Sequence, residues 1–578
     1  MLSAWIEGAR WRRPALLGVL LVGLIAVVSS PGDIFRMTRA TWLTGEPTRL
    51  AAGGLGAWAL CALLSTSMWG RRPRSWNRWW RIVPPLVALP VGGLGVLLAV
   101  RAIQTWGVRL DAPVVLYPAH LVFQRGYIPY RDIVDFNQPG TYLLYGCIDV
   151  IARSDFALRV VDTFALVLTV LASRRAFALP GWSAAFIGAG LYTVTHMEDT
   201  GVDCLQREVF VLALTVSSAA LMRMGRYIAA GLVFGLCFWM KFHSVLLMLP
   251  FVWDVIRRNG GTRAGWVALG KMAAVVASIS VAVVTLLVVS GAFPAWLELV
   301  TQYLPLYGRM AGTLGFSGME LLRYRRLFLF FNPTHHPAIL GLLLVPPLLT
   351  TARARLGVGP DAVRVVVGFY LCTLAYVLVQ GTFWHYHSIP SCSAIGMMVG
   401  LLISEPRDMI EGLGRLAVSL AVGWHCMGPH AFDTMHWESN GRNEDGMAIA
   451  NQLEIELPPG ELVQPLDIVQ GVVDGMRRAD VPLATPFMYD LYFYHDVQSP
   501  IIQRWRHRML ADMEERRPYF VIEALPGRAV RPYGEGTDEH FPELEQFLAE
   551  HYVVHRDTNG IRWWRRRDYS QRPIDMPP

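Results

Sequence analysis

The sequence predicts a polytopic α-helical membrane protein with a C-terminal soluble α/β domain. Three observations lead there. Of 578 residues, 53% are hydrophobic and only 17% charged, where a soluble chain carries about 25% charged residues; the mean hydropathy is +0.34. Apolar runs recur from Pro14 to about His425, many near the roughly 20 residues a bilayer crossing requires. From residue 431 onward charges become common and short elements replace the long runs.

The charge pattern excludes one class of function. The net charge is +7, and lysine occurs only at positions 241 and 271. The arginines gather at the ends of apolar runs, which is the signature of membrane orientation rather than of nucleic-acid binding. The seven cysteines are scattered and form no CxxC pair, so neither a disulfide framework nor a zinc site is indicated. The first apolar run is followed by further runs, and Ser29-Ser30-Pro31 makes a poor cleavage site, so it reads as a span and not a removable signal.

Spans are expected at 14–30, 50–68 and 83–103. Arg10, Arg12 and Arg13 precede the first, and Arg71, Arg72, Arg74, Arg78 and Arg81 separate the second from the third. Both clusters belong on the cytoplasmic side, with Trp76, Trp79 and Trp80 as interfacial anchors. The third span then delivers Asp111 outside. A first outer loop, about 104–155, follows, with a segment at 139–152 too short to cross and expected along the surface.

Spans at 156–172 and 181–195 bracket Arg174-Arg175 inside and bring HMEDTGVDCLQRE outside; 208–222 returns to Arg223 and Arg226. The run 227–256 is too long for one span and carries Lys241-Phe242-His243 in its middle, so it divides into two short helices. The span 266–290 leads to an outer loop, 291–337, with an amphipathic piece from Trp296 to Tyr307. Further spans are expected at 338–352, 362–382, 389–404 and 410–427, giving about thirteen in all. The division is thus 1–430 in the membrane and 431–578 outside it. In the latter, LEIELPPGELVQP, VPLATPF, PYFVIEAL and YVVHRD read as strands, Arg504–Arg516 and His540–His551 as helices.

Every chemistry-bearing cluster falls on one face. Asp111 begins the outer loop, which also holds Asp132 and Asp135; the next outer segment supplies Glu198, Asp199, Asp203, Arg207 and Glu208; FWHYHSIP supplies His385, Tyr386 and His387. Ionisable groups at membrane depth are costly and tend to be paired or functional. A carboxylate that can accept a proton, together with Arg, His, Tyr and Lys groups that can stabilise an anionic leaving group, suits group transfer from a lipid phosphate. Two rival readings stand beside this. Lys241 can simply snorkel to the interface, and Arg323, Arg325 and Arg326 read better as headgroup contacts. His335-His336 and His385-x-His387 raise a divalent metal, but no third ligand follows from spacing, so the metal is left open.

Four passages resemble the GT-C class of membrane glycosyltransferases, which includes protein O-mannosyltransferases and lipid A aminoarabinose transferases. DAPVVLYPAHLVFQRGYIPYRDIVDFNQPGTYLL is similar to the first outer loop of that class, an acid followed by G-x-x-P-Y-x-D. VDCLQREVFVLAL resembles its GQRE/D passage, AAGLVFGLCFWMKFHSVLLMLP its glycine-rich segment ending in lysine, and QGTFWHYHSIP its Q-G-K-G-W-x-Y-H-x-x-P motif. The resemblance covers most of 100–400. It implies an inverting transfer from a polyprenyl-phosphate sugar to a glycan, lipid or protein acceptor. Asp111 would then be the general base, with Arg207, Lys241, Tyr386, His387 and His385 facing the donor phosphate. Tyr130, Asn137, Gln138, Gln206 and Glu208, in the same passages, are expected to line the substrate.

The departures from the pattern are Ala112, where a second acid often stands, Asn137-Gln138 before the loop proline, and Thr382 in place of lysine. Asp199 and Asp203 are the candidates for that second acid, with Asp135 behind them. The expected setting is a bacterial inner membrane, with the site and C-terminal domain on the periplasmic side and no nucleic-acid partner. The rivals are a polymerase or ligase using a lipid diphosphate, and a flippase, which predicts repeats and polar groups at mid-membrane.

Overall fold

The computed structural model describes residues 82–105, 108, 111–198, 204–310, 338–351, 360–380, 385–404, 412–419, 444–467, 471–525, 536–538 and 540–567. The first two expected spans, the flanking arginine and tryptophan clusters, and Arg323, Arg325, Arg326, His335 and His336 lie outside the described residues. Among the described residues, five helices are long and apolar enough to cross a membrane: Val83–Gln104, Asp155–Ala176, Arg263–Val289, Asp361–Gln380 and Tyr386–Ser404.

The chain begins with α1 (Val83–Thr105), then α2 (Asp111–Arg125) and α3 (Pro139–Ile151), both in the first outer loop. Then come α4 (Asp155–Ala176), α5 (Trp182–Glu198) and α6 (Arg207–Arg223). The last two have 17 residues each, about 26 Å of helix at 1.5 Å per residue. The long run divides as expected into α7 (Tyr227–Met240) and α8 (Ser244–Arg258). The break falls at Lys241, whose backbone is extended (φ −157°, ψ 106°). The helix α9 (Arg263–Val289) has Val281, Leu286 and Val289 exposed, an apolar surface suited to lipid.

The amphipathic piece of the next loop is a continuous coil of α10 (Phe293–Glu298), a π turn at Leu299–Tyr303 and α11 (Leu304–Met310). The bundle is completed by α12 (Ala338–Thr351), α13 (Pro360–Gln380), a 3₁₀ turn at His385–Ser388, α14 (Ile389–Ser404) and α15 (412–419). Small residues set the closest helix approach. Gly396 and Gly400 of α14 face Gly188 and Ala184 of α5 so tightly that a Cβ on either glycine would overlap a backbone carbonyl across the seam. Membrane helices use such seams because apolar burial gives them no preference for each other over lipid.

The C-terminal part contains α16 (Glu444–Glu456), β1 (Val463–Leu466), α17 (Val472–Arg478), α18 (Pro500–Arg516), β2 (Phe520–Ala524), α19 (Pro542–His551), β3 (Tyr552–Thr558) and β4 (Ile561–Arg566). The sheet order is β1-β2-β4-β3, with β1 and β2 parallel and the other pairs antiparallel. The expected elements at PYFVIEAL, YVVHRD, Arg504–Arg516 and His540–His551 are present. Two expected strands are not present in full. In LEIELPPGELVQP only the VQP end is a strand, as part of β1, while LEIEL continues helix α16, which buries Ile449 and Leu453 one turn apart and leaves Ile455 exposed. VPLATPF forms only isolated bridges, Val463 to Leu483 and Val134 to Phe487.

The second of those bridges ties the C-terminal part to the first outer loop, and the packing is equally shared. Val114, Tyr117 and Leu121 of α2, with Ile133, Val134, Leu299 and Tyr303, form one apolar core with Ile449, Phe487, Tyr492, Trp505 and Trp563. Tyr117 donates to the Val481 carbonyl at 2.8 Å and Tyr492 to that of Val134 at 2.9 Å. Beside this core, both ring nitrogens of His120 meet carboxylates, Asp149 at 2.7 Å and Asp480 at 2.8 Å. Only the imidazolium can donate to both.

Two predictions follow from this packing. A Cβ on Gly140 would lie 2.7 Å from the Trp239 carbonyl carbon and 2.8 Å from the Met240 nitrogen, both backbone atoms at the α7–α8 break. Gly140→Ala is therefore expected to cost about 1–3 kcal/mol, read as a lower thermal midpoint. His120 is subject to burial, which opposes its charge, but the hydrogen bonds to Asp149 and Asp480 outweigh burial and raise its pKa above 6.5. Asp480 is likewise opposed by slight burial, yet His120 and Arg125 hold it below 3.8. The clasp should contribute fully between those two ordinary values and be lost as pH climbs through the raised histidine value. His120→Gln should therefore lose more thermal stability at pH 6 than at pH 9; an equal loss at both would remove the imidazolium from the account.

Candidate active site

Three backbone features aim the site's side chains. Asp111 lies in the first turn of α2, where the helix dipole favours a carboxylate. Gln138 is extended (φ −81°, ψ 158°) ahead of Pro139 at the start of α3, as the residue before a proline prefers. Leu205 takes a left-handed conformation (φ 55°), uncommon for a residue with a branched side chain. It is held there from both sides: its N–H donates to Asp162 at 2.8 Å and its carbonyl accepts from Tyr145. Next to it, Gln206 and Arg207 reach the first outer loop, at Asp111 and Asn137, and Glu208 reaches Lys241 and His387.

Around Asp111 the distant passages converge. Gln206 reaches its carboxylate at 3.5 Å, and Tyr386 also hydrogen-bonds it. Burial pushes the Asp111 carboxyl above its ordinary value, against the Tyr386 hydrogen bond and the Arg207 charge. Arg207 donates to Asn137 Oδ1 at 2.5 Å. Asn137 in turn donates to both oxygens of Asp135, at 2.9 and 2.8 Å. Tyr142 donates to Asp135 at 2.8 Å, and the acid is fully buried. Burial raises its pKa as well, opposed by Asn137 and Tyr142. Asp135 thus orients Asn137 and, through it, Arg207.

Glu208 forms the second half. It is fully buried, pairs with the Lys241 ammonium, and lies 3.6 Å from His387 Nε2. Lys241 also donates to Gln380 Oε1 at 2.7 Å and sits 5.6 Å from the Tyr376 ring centroid. Tyr386 and His387 meet edge to face with centroids 4.6 Å apart. Gln138 accepts from the Trp296 indole at 3.2 Å, and the Tyr130 hydroxyl donates to the Asn137 carbonyl at 2.6 Å. Tyr130 too is left-handed (φ 67°), a strained conformation of the kind that gathers at functional sites.

Of the residues singled out in the sequence, Asp111, Gln206, Arg207, Glu208, Lys241, Tyr386, His387, Asn137 and Asp135 are brought into one connected network, with Tyr130 and Gln138 at its edge. Asp199 and Asp203 lie outside the described residues. His385 opens the 3₁₀ turn, and its side chain is not described. Among the described residues no group of three His, Cys, Asp or Glu side chains is placed to hold a metal ion. The sequence reading passed over Gln380, although it is the first residue of QGTFWHYHSIP. It also passed over Tyr142, Tyr145 and Asp162, which act through hydrogen bonds to partners that no local pattern announces.

No family model matches the chain, and no curated protein matches it. Among solved structures it is similar to ArnT from Cupriavidus metallidurans bound to undecaprenyl phosphate, at 13% identity and a TM-score of 0.44, covering 84% of this chain and 97% of that one. The apo form of that protein gives 14% identity and a TM-score of 0.45, with 84% and 98% covered. The Archaeoglobus fulgidus oligosaccharyltransferase in complex with Zn and sulfate gives 12% and 0.46, covering 85% of this chain and 74% of that one. These identities carry no residue's role across.

The Glu208–Lys241 pair makes a stability prediction. Lys241→Met leaves a buried carboxylate uncompensated and should cost about 3–5 kcal/mol. Adding Glu208→Gln should restore most of that loss in a double-mutant thermal melt.

Proposed function

We propose that the chain is an inverting membrane glycosyltransferase, working on the periplasmic face of a bacterial inner membrane with a polyprenyl-phosphate-linked sugar as donor. The acceptor hydroxyl attacks the anomeric carbon and its proton passes to Asp111. The bond from that carbon to the phosphate oxygen breaks, and the polyprenyl phosphate leaves as an anion. Arg207, Lys241, Tyr386 and His387 would stabilise the charge developing on that oxygen. Glu208 would keep Lys241 and His387 ordered, and Asp135 would do the same for Arg207 through Asn137.

One observation carries this reading. Asp111 accepts a hydrogen bond from Tyr386, 275 positions later, and feels the charge of Arg207, while Lys241 and His387 meet the neighbouring Glu208. A proton acceptor therefore stands next to a cluster of cationic and donor groups, as transfer from a phosphate requires. The sequence resemblance supplies the same roles from an independent direction. A flippase has less support: among the described residues the polar groups of the candidate site form one network around Asp111 and Glu208.

The test is carrier release by purified protein over a panel of hexose and pentose polyprenyl phosphates. Asp111→Asn should lower turnover by about 100-fold or more. In the wild type, turnover should fall as pH drops through the raised Asp111 value. Equal turnover in the variant removes the general base; no release by wild type, with lipid-sugar translocated across vesicles, replaces the enzyme with a transporter.

A further inference from the structure

At the far ends of α2 and α3 lies a cavity of about 370 Å³ between the first outer loop and the C-terminal part, within the roughly 300–1,000 Å³ typical of ligand pockets. His120 and Asp149 form its base with Arg477, which donates to Asp149 at 3.3 Å. Its mouth is different. Gln124, Arg153, Asn451 and Glu454 line it, are exposed, and make no hydrogen bond or ion pair among the described residues. Four polar side chains from three segments converge on one opening with their bonding capacity unused.

We infer that this cavity binds a neutral saccharide and is the anchoring subsite for a glycan acceptor. Of the four cations around it, His120, Arg477 and Arg478 are held by Asp149, Asp480, Asp474 and Asp155, which leaves Arg153 and Glu454 at the mouth, among the described residues, as two free charges of opposite sign. An anionic ligand would face the carboxylates and a cationic one the guanidinium groups. A sugar hydroxyl both donates and accepts, so it can use the carboxylates and the guanidinium and amide donors together. Met447 and Ala450 give the wall an apolar strip for the C–H face of a ring. The groups at the base are already paired with one another and so are held in place before a ligand arrives.

The position fits an acceptor that spans two points. Both α2 and α3 start at the candidate active site, at Asp111 and beside Asn137, and end at the cavity, at Gln124 and near Arg153. From Asp111 to His120 is about 14 Å at 1.5 Å per residue. An oligosaccharide held in the cavity by its non-reacting end lies within reach of the site along those helices. This rests on the proposed glycosyl transfer for the word acceptor, but the binding itself does not.

The experiment uses the full chain in lipid nanodiscs, free of glycoside detergents, on an array of neutral, acidic and amino oligosaccharides. Wild type should be retained on at least one neutral oligosaccharide. Arg153→Ala and Glu454→Gln should each weaken that retention by about tenfold without moving the thermal midpoint, because neither side chain has a partner to lose. Asp111→Asn should be retained like wild type. The inference is overturned if no neutral oligosaccharide is retained, if the two mouth variants bind as wild type does, or if acidic glycans bind best. Retention lost in the mouth variants alongside undiminished transfer by Asp111→Asn would sink the proposed reaction and leave the saccharide site standing.

Discussion

The structure around the candidate site depends on a single buried charge. Glu208 is excluded from solvent at the start of a helix whose other residues are largely apolar. A carboxylate there is tolerable only if it is paired, and its partners come from elsewhere in the chain. Lys241 comes from the break between α7 and α8, and His387 from the 3₁₀ turn before α14. Gln380, at the end of α13, shares the lysine. Satisfying one acid therefore fixes four separate elements against each other. The break at Lys241 belongs to the same constraint: an uninterrupted helix over 227–258 would carry the ammonium past on its own turn, whereas the extended residue presents it.

A second tier of contacts holds the side chains of the candidate site in place. Asp135 is fully buried and engaged by Asn137 and Tyr142, and Arg207 is aimed by Asn137. The Leu205 backbone is pinned between Asp162 and Tyr145. Donors held in this way are preorganised, so they need not rearrange to meet a charge.

Much of this was legible in the sequence because polar residues in apolar surroundings stand out. Asp111, Arg207, Glu208, Lys241, Tyr386 and His387 each interrupt or border a long apolar run. What was not legible depends on distance along the chain. His120 and Asp480 are 360 positions apart, and Asp149 and Arg477 are 328 apart; nothing near either partner announces the other. The misread strand at LEIEL has a local cause. LEIEL alternates apolar and acidic residues, which fits a strand, yet a helix is satisfied by Ile449 and Leu453 alone and leaves Ile455 outside. Conversely IRWWRR, rich in arginine, forms β4, where Trp563 faces the core and Trp564 meets Glu523.

The shared core has a consequence for how the protein is made. Tyr117 of α2 finds its partner, the Val481 carbonyl, 364 positions later. At 5–20 residues per second of synthesis, that interval is about 20–70 s. Throughout it, the apolar face of the helix that begins with Asp111 has no C-terminal residues to cover it and must rest on lipid or on a chaperone. That helix would therefore be among the first parts of the loop to be translated and among the last to be seated. In a growing chain the core that seats this helix stays incomplete until C-terminal residues such as Ile449, Phe487 and Trp563 have been made and folded. Assembly order would then set when this helix reaches its final place.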